Sequence, residues 1–180
     1  MNDPVELIQH RTGLSALILL FITLSVTPVR RLSGWNSLIK FRRLAGLFAF
    51  FYATLHAFSY FVFDHSLDFG LIWADVIEHP WVWVGFLAFL CLIPLALTST
   101  TGWIRRMGGK NWNRLHMLIY LIAPMGVLHF LWLVKADVSE PITYAVILAA
   151  ILAARVFIKP RKAPMTAPPR RPAPPSSAAP

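Results

Sequence analysis

Residues 41–63 read FRRLAGLFAFFYATLHAFSYFVF. Beyond Arg42 and Arg43 the stretch has no charged side chain until Asp64, and it is about as long as a bilayer's hydrocarbon core requires, roughly 20 residues. Inside hydrocarbon every backbone polar group must be satisfied within the segment, so the stretch is a membrane helix. One protonatable ring interrupts it, His56. Such a ring is costly there and marks a functional site. Residues 112–134, WNRLHMLIYLIAPMGVLHFLWLV, repeat the pattern with His116 near one end and His129 near the other.

Outward from these two, segments 12–28, 80–98 and 141–158 are also apolar and long enough to span, the first and last marginally. The expected fold is all-α, a polytopic membrane helix bundle of five transmembrane helices in one domain, residues 1–159. Of 180 residues 57% are hydrophobic, whereas soluble domains are nearer 45–50% apolar. No stretch is left for a soluble catalytic domain. Residues 160–180 are Pro, Ala, Ser and Arg, a composition that buries too little to fold, and are expected to be a disordered cytoplasmic tail. The start, Met1-Asn2-Asp3-Pro4, lacks the basic region of a cleavable signal peptide.

The net charge of +9 does not indicate nucleic-acid binding, because the cations alternate between connections. Arg30, Arg31, Lys40, Arg42 and Arg43 lie in the first connection, and Arg105, Arg106, Lys110 and Arg114 in the third. The second carries Asp64, Asp68, Asp75 and Glu78 with no cation, and the fourth has Lys135, Asp137 and Glu140. Basic loops stay cytoplasmic, so the N-terminus is expected in the periplasm and the C-terminus in the cytoplasm. Trp81, Trp83, Trp112 and Trp132 sit where interfacial aromatic belts form. The single cysteine, Cys91, permits no internal disulfide and no C-x-x-C-H haem attachment, and reads as a small buried hydrophobe.

Depth then sorts the histidines. Counted from the cytoplasmic ends, His56 lies about 21 Å along its helix and His129 about 24 Å along a parallel one. Two imidazoles at one level are what a b-type haem needs, one axial ligand on each side of the iron. His116 lies about 5 Å in. Arg42 and Arg43 share that depth, and Arg42 is within about 40° of His56 around an ideal helix. These cations suit a haem propionate or a flavin phosphate, which makes His116 with Arg42 and Arg43 a candidate second cofactor site. His116 and His129 are about 140° out of phase on an ideal helix, and Pro124 between them is the expected kink. The plainer readings are these. A lone intramembrane histidine packs and hydrogen-bonds. His65 and His79 are solvated loop residues, and His10 caps the first helix, against the alternative that it lines a cofactor pocket. The hydroxyls of Thr98, Ser99, Thr100 and Thr101 satisfy backbone groups at a helix end. A non-redox membrane protein, with the histidines as proton-relay or packing groups, is the rival class. No segment carries the mid-span Asp or Glu that a transporter usually shows.

The runs Arg42-Arg43-Leu44-Ala45-Gly46-Leu47, Tyr52-Ala53-Thr54-Leu55-His56, Ser59-Tyr60, Ala96-Leu97-Thr98-Ser99-Thr100, Trp112-Asn113-Arg114-Leu115-His116 and His129-Phe130-Leu131-Trp132 carry a family resemblance. So do Asp3-Pro4-Val5, Gln9-His10-Arg11-Thr12-Gly13 and Val26-Thr27-Pro28. Over residues 3–158 the chain resembles the MsrQ (YedZ) family, haem-binding membrane subunits of the periplasmic methionine sulfoxide reductase system within the ferric-reductase-like transmembrane superfamily. The resemblance implies haem b and FMN in the bacterial inner membrane, with His56, His116 and His129 on the family's histidine positions. It implies an electron-transfer subunit, not a catalytic one, that takes electrons from the respiratory quinone pool. They pass to a periplasmic molybdopterin partner, MsrP, which repairs oxidised methionines. Family members usually have one more helix ahead of Asp3-Pro4-Val5, making six. The acidic connection 64–79 and the connection 135–140 are the expected docking surface for the partner. A nearer alternative is a cytochrome b of the same superfamily that reduces metal or oxygen, but those chains normally carry an attached flavin and nicotinamide domain.

Overall fold

The computed structural model describes residues 3–134 and 137–158. Lys135 and residues 159–180, with the expected tail, lie outside the described residues. All regular structure among the described residues is helical: α1 Pro4–Ser33, α2 Leu38–Ser59 running into a π-helical turn Tyr60–Asp64, α3 Phe69–Glu78, α4 Pro80–Leu97, α5 Thr101–His116, α6 Ile119–Leu133 and α7 Ser139–Phe157.

Local chemistry sets the ends. The Asp3 carboxylate accepts from the Val5 N–H, Pro4 opens α1, and Gly34 closes it in the left-handed conformation that glycine adopts without strain. Asp68 accepts from the N–H groups of Gly70 and Leu71 and so starts α3. Thr98 and Ser99 donate to the carbonyls of Pro94 and Leu95 at the end of α4, and the Thr100 hydroxyl receives the Trp103 N–H, as expected of these hydroxyls.

Five stretches are long and apolar enough to cross a membrane: Pro4–Ser33, Leu38–Asp64, Pro80–Leu97, Thr101–Leu133 and Ser139–Phe157. The chain is an integral, multi-pass membrane protein. α1 packs along α2 and α4 along α6, α2 meets α4, and α7 closes on α1 and α6. Leu17, Leu20, Phe21 and Leu24 of α1 meet Ala49, Ala88, Leu92, Ile122 and Ala123 in the core, with Cys91 half-buried against it. The small residues let the helices approach closely, as membrane bundles require. Phe48, Phe51, Phe58, Leu87, Leu121 and Val146 point outward, where lipid replaces water as the solvent.

Two features depart from the sequence reading. The fourth span does not start at Trp112. Residues 112–116 are the last turns of α5, a polar helix broken at Gly108 (φ 73°), and the chain turns at Met117-Leu118 before α6 begins. This turn accommodates the phase mismatch between His116 and His129, while α6 runs through Pro124 as one helix. The second departure is α3. The acidic connection contains a helix with Phe69, Trp73 and Ile77 exposed along one side, a periodicity that its four carboxylates obscured.

Candidate functional site

His56 on α2 and His129 on α6 come together, with ring centroids 6.1 Å apart and ring planes at 78°. Each ring is held from behind. The His56 Nδ1 lies 3.0 Å from the Gln9 carbonyl oxygen of α1, and the His129 Nδ1 lies 2.7 Å from the Trp81 carbonyl oxygen of α4. A carbonyl only accepts, so both Nδ1 atoms carry the proton and both Nε2 atoms keep their lone pairs. That is the tautomer of an imidazole metal ligand whose outer N–H is anchored by the protein. A metal–imidazole bond of about 2.0–2.1 Å on either side places two ring centroids roughly 6 Å apart, so the observed spacing suits one metal bridged by both rings. Gly13 and Gly85 sit directly against the two rings.

The carboxylates of the acidic connection lie behind these anchors. Asp64 receives a hydrogen bond from the Gln9 amide. Asp75 receives the Tyr60 hydroxyl at 2.5 Å, with the His79 Nδ1 at 2.8 Å and the His65 Nε2 at 3.7 Å. The His79 ring packs at 4.5 Å on Trp81. His65 and His79 are thus half-buried partners of Asp75. This corrects their reading as solvated loop residues; a fold-back across the left-handed turn Ser66-Leu67 (φ 49° and 61°) brings them in. Three of the four carboxylates in the connection therefore have partners within the chain, and only Glu78 has none among the described residues. Asp64, Asp68 and Glu78 remain exposed. Lys135, in the other half of the expected docking surface, lies outside the described residues. His10 does not cap α1, since Asp3 does; it lies 3.6 Å from Glu140, with its ring edge toward Phe130.

A second site lies at the opposite ends of α2 and α6. Arg42, Lys110, Asn113, Arg114, His116, Met117, Tyr120 and Arg155 line a cavity of about 420 Å³. The His116 Nδ1 donates to the Trp112 carbonyl of its own helix, and the Trp112 ring stacks on it at 3.9 Å. Its Nε2 is shut off from solvent and has no hydrogen-bond partner among the described residues. The Leu95 backbone stands beside the ring as its other polar neighbour. Arg155 is already committed, donating to the Leu24 carbonyl and the Thr27 hydroxyl and lying over the Tyr120 ring. Arg42 lines the cavity as expected, but Arg43 is exposed and lies outside its lining. The sequence reading missed Gln9, Gly13, Trp81, Gly85, Lys110, Arg114 and Arg155. Its one available signal was the matched spacing of Gln9 to Gly13 and Trp81 to Gly85, four residues each, which means nothing until both pairs face a histidine.

Residues 12–127 match the family model of the ferric reductase like transmembrane component. A protein of Xanthomonas axonopodis pv. citri (strain 306), called protein-methionine-sulfoxide reductase heme-binding subunit MsrQ, is 54% identical over 157 residues, covering 87% of this chain and 72% of the relative. Proteins of the same name from Xanthomonas campestris pv. campestris (strain 8004) and Herminiimonas arsenicoxydans are 54% and 49% identical, over 86% of this chain in both cases and 71% and 72% of the relatives. No solved structure matches the chain. With its core helices matched by the family model and about half its residues shared with these relatives, the chain belongs to the ferric reductase like transmembrane family and, within it, to the MsrQ group.

Proposed function

We propose that this chain is a membrane cytochrome b that holds haem b between His56 and His129 and relays electrons from the respiratory quinone pool to a periplasmic molybdopterin reductase of the MsrP type. One observation carries the reading. Two imidazoles at one level, 6.1 Å apart, have their outer N–H groups on main-chain carbonyls and their Nε2 lone pairs free for a metal. When bound, the haem would be held by His56 and His129 and would supply one-electron redox chemistry. The chain's own contribution is to orient the two rings, fix their tautomer and exclude water with the apolar walls of α1, α2, α4 and α6.

The His116 cavity is proposed as the second cofactor site. Arg42, Lys110 and Arg114 offer donors to phosphate or carboxylate oxygens. The family resemblance implies FMN without saying where it binds, and these cations suit its phosphate. The same residues could instead hold a second haem, with His116 as a ligand and the cations for its propionates. In the proposed orientation, bacterial inner membrane with the N-terminus in the periplasm, the bis-histidine level lies nearer the periplasm and this cavity nearer the cytoplasm.

The test is composition and spectrum together. Purified protein should be red, and His56→Ala or His129→Ala should abolish the haem absorbance of that site, while His65→Ala leaves it. Pyridine haemochrome and flavin analysis of His116→Ala and Arg42→Ala identify the second ligand. If both core variants keep the parent's reduced-minus-oxidised spectrum, the pairing is wrong.

A further inference from the structure

The two proposed ligand histidines are seated in the same way on different helices. On α1, His56 meets the Gln9 carbonyl and the Cα of Gly13. On α4, His129 meets the Trp81 carbonyl and the Cα of Gly85. In each case the glycine is four residues beyond the carbonyl. A helical side chain leans back toward the helix N-terminus, so the side chain at i+4 stands over the carbonyl of residue i. Glycine removes that side chain and opens a notch beside a carbonyl that a ring from a neighbouring helix can reach. A methyl carbon added at Gly13 would stand 3.1 Å from both Cε1 and Nδ1 of His56. One added at Gly85 would stand 2.7 Å from Nδ1 and 2.8 Å from Cε1 of His129, closer than real carbon contacts allow. Gly126, three residues from His129 on α6, makes no such contact; its methyl would meet the Leu17 Cδ1 at 3.4 Å, an ordinary separation.

We infer that Gly13 and Gly85 are positioning residues: with the Gln9 and Trp81 carbonyls they form two seats that set the tautomer and angle of the imidazoles offered to the iron, the Gly85 seat being the tighter. This rests on the haem reading above only in naming the iron as the group the rings serve. The seats act through His56 and His129 and do not themselves touch the cofactor. Ordinarily a glycine inside a helix weakens it by about 1 kcal/mol relative to alanine, so its presence here opposes helix stability and serves the ring instead.

The experiment uses the purified full chain and the variants Gly85→Ala, Gly13→Ala, Gly126→Ala and His129→Ala, with Gly85→Ala also combined with His129→Ala. Haem content, low-temperature electron paramagnetic resonance of the oxidised iron and thermal unfolding of haem-free protein are measured. Gly85→Ala should lower haem retention by about tenfold or more, the loss typical when a ligand's outer support is removed, and shift the low-spin signature. Gly13→Ala should do the same to a smaller extent, and Gly126→Ala should match the parent. In haem-free protein, Gly85→Ala should lower the unfolding midpoint when His129 is present and leave or raise it in the His129→Ala background. Parental haem retention and signature in Gly85→Ala, or an equal effect with and without the His129 ring, overturns the seats. If Gly85→Ala does not accumulate, recovery on adding His129→Ala supports the seat, and failure to recover overturns it. Parental haem in His56→Ala and His129→Ala sinks the haem reading instead, while the iron-free unfolding cycle still decides the seats.

Discussion

The two ends of the bundle treat histidine differently. At one level two rings face each other, each anchored across a helix interface to a carbonyl some 47 or 48 residues away in sequence. At the other a single ring is anchored within its own helix, to Trp112 four residues back, and its neighbours are cations. The first arrangement brings two imidazoles 6.1 Å apart with their Nδ1 atoms held from behind, which suits a metal taken by both. The second leaves a cavity lined by cations beside one imidazole. Long-range anchoring fixes the two rings relative to each other. Local anchoring beside clustered positive charge gives a pocket suited to an anionic group.

The comparison breaks most readily at the rings. His129→Ala should empty the bis-histidine site and leave the His116 cavity's ligand at its parental amount, while Arg42→Ala should do the reverse; loss of both ligands in either variant would make the two levels one cooperative unit. Salt should separate them next. Retention of the cavity's ligand is expected to fall several-fold between low and high ionic strength, because partly exposed charge pairs are screened, and the bis-histidine haem should be insensitive. A flat salt response at the cavity would remove its electrostatic character. Smaller in effect, Asp75→Ala orphans the Tyr60 hydroxyl and the His79 ring and should cost about 1–2 kcal/mol in unfolding measurements. It should also disturb the His129 haem signature, since His79 packs on the Trp81 that anchors it. A change in partner coupling with parental stability and signature would support the acidic connection as a docking surface. Arg43→Ala, outside the cavity, should stay within about 0.5 kcal/mol of the parent and leave cofactor content alone. The smallest effect concerns pH. The Asp137 carboxyl is held below its usual range by the hydroxyl and N–H of Ser139, at the start of α7. A lowered carboxyl stabilises the fold above its ordinary titration range and loses that effect as pH falls through the shifted one. Asp137→Asn should therefore flatten a slight acid-side decline in the unfolding midpoint, and an unchanged slope would rule the interaction out.

Much of this architecture is legible in the chain itself. Bilayer thickness converts directly into residue count, and helix rise converts residue count into depth, so the five spans and the level shared by His56 and His129 follow from local composition and arithmetic. Arg42 beside His116 follows from the same arithmetic. Arg43 shares the depth but not the face, because the face that packs inward depends on α1 and α4. His65 and His79 read as solvated because polar composition reports average exposure, whereas their burial comes from a fold-back around Asp75.

Composition and periodicity by themselves determined a helical, multi-pass membrane protein with three histidines at two depths, since hydrocarbon forces every span to satisfy its own backbone. Only the tertiary structure decided which backbone carbonyls those rings reach, which glycines make room for them, and which cations enclose the remaining nitrogen. Those contacts join residues far apart in the chain, and no local pattern encodes where two helices will touch.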